Sequence, residues 1–501
     1  MGAMEWFTPW FSAPGYGLSR LVLQRALACV YLVAFLSAAF QFRALLGERG
    51  LLPVRAFVRR VPFRAAPGVF HWRCGDRFTT GCAWAGAVLS AAVLAGAADA
   101  VPLWAAMVMW ALLWLLYLSF VNAGQIFYGF GWESLLLEAG FLAIFLGNAR
   151  TAPPVLVLWL LRWLVFRVEF GAGLIKWRGD RCWRELTCLY YHHETQPMPG
   201  PLSWFFHRLP KPLHRVEVAA NHVAQLIVPF GLLLPQPVAT IAAGIVIVTQ
   251  LWLVLSGNFA WLNWLTIVIA LAAVDSSPLG GTPPGTPSYE ATPTWFAVLV
   301  CAVTVLVLSL SYWPVRNMLS RGQTMNRSFN SLHLVNTYGA FGSVTRVRQE
   351  IVLEGTDEET VTPETVWQEY PFKGKPGEVR RLPRQFAPYH LRLDWQMWFA
   401  ALSPAYTRGW FESLVERLLE NDRATLGLLR GNPFPDAPPT HVRALLYRYR
   451  FTTREERRET GAWWHRTLVR EFLPPVRAAG SVADGDTGGG GGRAGRPGTG
   501  A

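Results

Sequence analysis

Charge is scarce in this chain, and lysine scarcer still. Only 16% of its 501 residues are Asp, Glu, Lys or Arg, against about 25% in an ordinary soluble domain. Lysine occurs only at Lys176, Lys211, Lys373 and Lys375, so nearly all of the net charge of +13 is arginine. No CxxC pair occurs among the six cysteines, which leaves neither a zinc ribbon nor a thioredoxin-type site. No GxSxG elbow, glycine-rich phosphate loop or kinase signature is present. No Lys or Arg precedes Arg20. The N-terminus therefore lacks the basic region of a cleaved signal peptide, and the first apolar stretch is expected to be retained. What is abundant is apolar: 52% hydrophobic residues, with 24 Trp and 30 Phe. That excludes a disordered, collagen-like or disulfide-stapled chain and predicts a polytopic α-helical membrane protein with one sizeable soluble part. Nucleic acid is not an expected partner, because the arginines flank apolar stretches, where they suit lipid headgroups.

A bilayer-spanning helix needs about 20 mostly apolar residues. Nine stretches qualify, near 20–42, 79–98, 101–121, 126–147, 153–175, 216–234, 237–255, 257–274 and 294–313. The connections 43–78 and 176–215 are rich in Arg, whereas 275–293 carries acids and no base. Nine spans place both basic loops and the C-terminal part on one side, which the charge bias would make cytoplasmic. The expected domains are a transmembrane helical domain over 1–313, a β-rich α+β soluble domain over 314–476, and a disordered Gly/Ala-rich tail over 477–501. Within the soluble part, Val344–Leu353, Val366–Phe372 and Arg443–Thr452 read as strands, and Trp395–Leu419 reads as a helix. Cys74/Cys82 and Cys182/Cys188 are spaced to pair if their loops face an oxidising compartment, and otherwise stay free thiols.

Ionisable groups inside apolar spans are costly, so each is a candidate functional residue. Arg162, Glu169 and Lys176 follow one another at seven-residue spacing, close to one helical face. They suit either an ion-pair ladder that fixes packing or a site. Glu217, Asn221 and Gln225 share another face, and Glu133 and Glu138 mark the fourth span. A polar-lined cavity among spans four to six is expected, or else hydrogen bonding between helices. Lys176 is the candidate base, since desolvation favours its neutral amine; snorkelling is the bland alternative. The segment His192-His193-Glu194 concentrates polar chemistry, but adjacent histidines diverge and the spacing is not HExxH, so no metal site is expected.

Several long segments resemble one family. They are Tyr128-Gly129-Phe130-Gly131-Trp132-Glu133-Ser134, then Phe170-Gly171-Ala172-Gly173-Leu174-Ile175-Lys176-Trp177-Arg178-Gly179-Asp180, and His192 to Pro197. Asn326-Arg327-Ser328-Phe329, Asn336 to Gly342, Pro388-Tyr389-His390 and Arg392 to Phe399 come next in order. Together they resemble the lipase maturation factor family over roughly residues 15–475. The resemblance implies a membrane-embedded factor that assists folding and assembly of secreted proteins and is not itself a lipase. Its partners would be a client secreted protein, a lipase in the animal members, and the bilayer. It also implies an exoplasmic C-terminal domain, opposite to the charge bias.

The membrane half is distantly similar to the vitamin K-dependent gamma-carboxylase as well. That likeness implies an alternative, a membrane enzyme using Lys176 as base on a lipophilic cofactor or substrate. No cofactor is otherwise expected; a lipid or quinone beside Lys176 would belong to this alternative. Besides Lys176, the candidate binding residues are Glu133, Arg162, Glu169, His192, His193, Glu194, Glu217 and Asn221. Trp463-Trp464 would either dock a client or fill the core of the soluble domain. The preference for Arg and Ala over Lys suggests a GC-rich genome. The expected membrane is the plasma membrane in a bacterium and the endoplasmic reticulum membrane in a eukaryote.

Overall fold

The computed structural model describes residues 8–279 and 288–478. Most of the expected tail therefore lies outside the described residues. The membrane half is built from helices α1 (Gly17–Leu46), α2 (Asp76–Ala95), α3 (Leu103–Ala123), α4 (Gly131–Ala143) and α5 (Val155–Arg178). It continues with α6 (Leu189–Thr195), α7 (Lys211–Leu226), α8 (Val238–Ser256), α9 (Leu262–Ala270) and α10 (Thr294–Leu310). Among the described residues, five helical runs are long and apolar enough to cross a bilayer: Pro14–Leu46, Asp76–Ala95, Leu103–Ala123, Val238–Ser256 and Thr294–Leu319. Val88, Val248 and Val305 on α2, α8 and α10 stand exposed, as side chains facing lipid must. The expected spans at 126–147, 216–234 and 257–274 correspond to shorter helices, while α5 is long but carries charges that lower its hydropathy.

The helix ends gather into two groups. At one, Ala13 N bonds Pro153 O, Ser276 N bonds Gly15 O, Asn148 Nδ2 bonds Val101 O and Glu290 N bonds Arg150 O. At the other, Gln125 Nε2 bonds Leu52 O, Asn122 Nδ2 bonds Pro67 O and Ser331 O, and Trp183 Nε1 bonds Phe341 O.

The C-terminal half is a four-stranded antiparallel sheet of β1 (Arg348–Thr356), β2 (Gln368–Glu369), β3 (His441–Phe451) and β4 (Trp464–Arg477), in the order β2-β1-β3-β4. Helices α11 (Arg392–Leu402) and α12 (Phe411–Leu419) pack on it. The first strand starts later than expected because Val344 and Arg346 are drawn off to Asp180. The second shrinks to two residues. The expected long helix breaks at Ser403-Pro404, since Pro lacks the amide a helix interior needs; Gly409, at φ +81°, then turns the chain into α12. Strand β4 was not expected. It lies on the sheet edge, mostly exposed, with Pro474-Pro475 near its end, a composition only an edge strand tolerates. The sheet reaches Arg477, one residue past the expected domain boundary.

Trp464 is buried against Phe451 and Tyr449, so it serves the core. Trp463 is half-buried beneath Arg457, 3.5 Å from its ring centroid.

The two halves meet closely. At Gly171 in α5 an added Cβ would fall inside contact distance of the Tyr338 carbonyl oxygen, a backbone atom that cannot rotate away. Gly171→Ala is expected to cost about 1–3 kcal/mol, as overpacked sites do, and to lower the thermal unfolding midpoint measured in detergent.

Candidate functional site

Two buried carboxylates of α4 connect the membrane half to the C-terminal half of the chain. Glu133 is fully buried. Its Oε1 accepts from Arg392 Nη1 at 2.7 Å, and its other oxygen accepts from the Tyr117 hydroxyl. Arg392 also donates to Phe127 O at 2.7 Å and lies 3.4 Å from the centre of the Tyr128 ring. Gln41 of α1 completes the joint: its amide donates to His390 O at 2.7 Å, and its oxygen accepts from Arg392 N at 3.0 Å. Burial pushes the His390 imidazole down to about 4, so it is neutral at pH 7. Its Nδ1 accepts from Trp132 Nε1 at 3.4 Å, and its 3.5 Å approach to Glu133 is not an ion pair.

Further along α4, Glu138 pairs with Arg167 of α5, both almost wholly buried. Asn336 supplies its backbone amide at 3.1 Å and its side-chain amide at 3.0 Å, and the Tyr338 hydroxyl donates at 2.8 Å. Arg167 Nη1 in turn donates to Asn336 O at 2.7 Å. These bonds leave each buried charge compensated, the condition under which such a pair survives.

Arg162, Glu169 and Lys176 do not pair in sequence along α5. Arg162 donates to Ala272 O and the Tyr16 hydroxyl. Glu169 accepts from Gln250 Nε2 at 2.5 Å and Gln225 Nε2 at 3.3 Å. Lys176 Nζ donates to Gln225 Oε1 at 2.8 Å and sits 5.1 Å from the Trp183 ring centroid. Asn221 Nδ2 reaches the same Gln225 oxygen at 3.3 Å, and Asn263 Nδ2 donates to Gln250 Oε1 at 2.6 Å. The result is a closed amide–carboxylate–amine network between α5, α7, α8 and α9. Glu217 leaves it and accepts from Trp252 Nε1 at 2.7 Å.

The segment His192-His193-Glu194 lies on α6 against the sheet. The His192 ring packs against Phe341 and is parallel to Phe259. Glu194 Oε2 accepts from Phe451 N at 2.7 Å, and burial raises its pKa. Burial also brings His207, 3.6 Å away, down to about 4. Arg348 clamps the loop by donating to the carbonyls of Glu194, Gln196 and Pro197, with Glu350 behind it. Trp204 Nε1 and Arg208 Nη2 both reach Thr452 O. Cys182 and Cys188 form a disulfide in this connection, while Cys74 and Cys82 are free.

Single-span reading missed Gln250, Asn263, His214, Arg348 and Arg392. Gln250 and Asn263 left a signal, as amides inside otherwise apolar helices. Arg392 stood in a motif of the family resemblance and Arg348 beside Glu350 in an expected strand, but nothing local marked either as a docking contact, because the groups they hold across the two halves are 150 or more residues away.

The fold and these junctions define a multi-pass membrane protein whose C-terminal sheet domain is docked on its helical bundle. A family model for the lipase maturation factor transmembrane domain matches residues 18–280, and one for the lipase maturation factor C-terminal domain matches residues 334–474. The chain belongs to the lipase maturation factor family. It is 43% identical to lipase maturation factor 1 of Bos taurus, covering 92% of this chain and 89% of that one. It is 41% identical to the Mus musculus counterpart, covering 92% and 88%. Lipase maturation factor 2 of Homo sapiens is 28% identical, covering 92% and 83%. No solved structure matches.

Removing Arg392 strands Glu133 in a dry environment. Arg392→Leu is expected to cost about 3–5 kcal/mol, read as a lower unfolding midpoint. Adding Glu133→Leu should restore much of the loss, because the charge is then gone too.

Asp180 gives a pH dependence. It accepts from Arg346 at 2.9 and 3.0 Å and caps the Arg181–Arg184 turn through Cys182 N. The Arg346 guanidinium holds its carboxyl below the usual range. A depressed carboxylate pKa adds stability above the unfolded value, near 4, and loses it as pH falls through the folded one. Asp180 is partly solvated, so the pair is worth less than about 1 kcal/mol. Asp180→Asn should flatten the unfolding midpoint below pH 4 relative to wild type.

Proposed function

We propose that the chain is a membrane-embedded maturation factor that assists folding and assembly of a secreted client of the lipase class. The observation that carries the reading is the match of both halves to relatives named for that role, over 92% of the chain. The architecture supports it physically. The sheet domain is held to the bundle by the buried Glu133–Arg392 pair, and its edge strand β4 leaves Leu468 and Val469 exposed. An open sheet edge with apolar side chains can take up an extended or incompletely folded chain.

We propose that nine helical segments, α1 to α5 and α7 to α10, run between the two groups of helix ends and that all nine cross the membrane. The four shorter or charged ones would sit inside the bundle. On this count the loops 47–75 and 176–215 share a side with the sheet domain, consistent with the Arg49–Glu420 and Glu194–Phe451 contacts. The Cys182–Cys188 disulfide supports an exoplasmic assignment for that side, because disulfides persist in oxidising compartments.

The test is co-expression of the full-length chain with a secreted homodimeric lipase, scored as active dimer in the medium. Leu468→Glu with Val469→Glu is expected to lower that yield at unchanged level and unfolding midpoint of the factor; an unaltered yield would remove β4 from client contact. Truncation after Trp313 is a poor substitute, since it strands Glu133 and takes the Asn336 and Tyr338 donors from Glu138. Lys176→Met should leave the yield within about two-fold. A drop of about a hundredfold, the size of a general-base contribution, would instead favour an enzyme with Lys176 as base.

A further inference from the structure

The connection between α5 and α7 contains a cluster that none of these junctions uses. His193 stands on α6. His214 and Glu217 stand on α7 at i and i+3, so both project from one face. One potential donor atom from each of the three lies within 4.8 Å of the others. The two imidazoles are 1% and 2% exposed, and among the described residues neither ring has a hydrogen-bond partner at either nitrogen. Buried polar groups are seldom left this way, and two adjacent rings with four unpaired nitrogens need an explanation.

The surroundings confine the rings without satisfying them. Phe206 stacks on His193 with centroids 5.5 Å apart, and Tyr190 stands edge-on to His214 at 5.9 Å. The two imidazole centroids are 5.6 Å apart. Trp252 Nε1 fixes Glu217 through Oε1 at 2.7 Å. The free Oε2 stays 3.8 Å from His214 Nδ1, beyond hydrogen-bond range.

We propose that His193, His214 and Glu217 are three ligands of a zinc ion. Two imidazole nitrogens and one carboxylate oxygen, with a fourth position open to water, are a donor set zinc takes. The absence of thiolates argues against Cu(I), and the two imidazoles argue against Mg²⁺ or Ca²⁺. Tetrahedral bonds of about 2.0–2.1 Å put ligand atoms about 3.4 Å apart, so the widest pair closes by about 1.4 Å on loading. Trp252 is a positioning residue, orienting the carboxylate from outside the coordination sphere. His192 takes no part; its ring lies with Phe259 and Phe341. The ion ties α6 to the start of α7, a few residues after the Cys182–Cys188 disulfide, so one connection carries two cross-links. That arrangement holds the Arg348-clamped loop in place against the sheet.

The experiment uses the full-length protein, purified in detergent without chelator, with bound metal measured by plasma mass spectrometry. About one zinc per chain is expected, in keeping with a single three-ligand site. It should be removable by a strong chelator and restored by Zn²⁺, and Co²⁺ in its place should give the visible absorption of a tetrahedral ion. His193→Gln and His214→Gln should lose the metal, while His207→Gln, outside the donor set, keeps it. Trp252→Phe should weaken zinc affinity by about tenfold or more. Wild-type protein that neither retains zinc nor binds Zn²⁺ or Co²⁺ overturns the proposal, as does unchanged metal content in both histidine variants. If those variants fail to accumulate, the Co²⁺ titration of wild type decides.

Discussion

The contact on which most of the structure depends is the buried pair of Glu133 and Arg392. A carboxylate in the dry interior of a helical bundle is tolerable only with a cation and further donors on it. Here the cation comes from the C-terminal half of the chain, and the further donor, the Tyr117 hydroxyl, comes from α3. Glu138 takes its cation, Arg167, from the bundle itself, and the later chain supplies its further donors, Asn336 and Tyr338. The bundle is therefore electrostatically incomplete without the C-terminal domain. Docking is a requirement of the α4 sequence rather than an optional packing of two finished domains.

Much of this was legible in the sequence, for local reasons. Apolar runs of membrane length mark α1, α2, α3, α8 and α10 directly. The charges of α5 were legible as costly, and so was their facing, because both depend on helical period. Their partners were not. Arg162, Glu169 and Lys176 look like a ladder on a helical wheel, yet none bonds the next: Arg162 turns to Tyr16, Glu169 to Gln250, and Glu169 and Lys176 meet only through Gln225. Side chains choose partners through tertiary packing, and spacing along one helix says nothing about what stands opposite. Strand β4 escaped notice because an edge strand needs little apolar alternation. Val344 has the alternating neighbours of a strand residue, but Asp180 competes for its amide and wins.

The motifs by which the family is recognised fall at these junctions. Glu133, Gly171, Asp180, the His192–Pro197 loop, Asn336, Tyr338, His390 and Arg392 all lie where the bundle meets the later chain. Motif residues are often taken for a reaction centre. In this protein their hydrogen bonds are largely spent on one another, which fits a scaffold that joins the two halves of the chain. The chemistry left over is at the rim: the free edge of β4 and the histidines of the α5–α7 connection.

The distance in sequence between Glu133 and its cation has a consequence for biosynthesis. The two residues are 259 positions apart, and at synthesis rates of about 5–20 residues per second the carboxylate waits about 13–50 s for Arg392 to be made. During that interval α4 has no reason to settle in hydrocarbon in its final charge state. The nascent bundle must keep its acid protonated, hydrated or held by the insertion machinery until the last third of the chain arrives to close it.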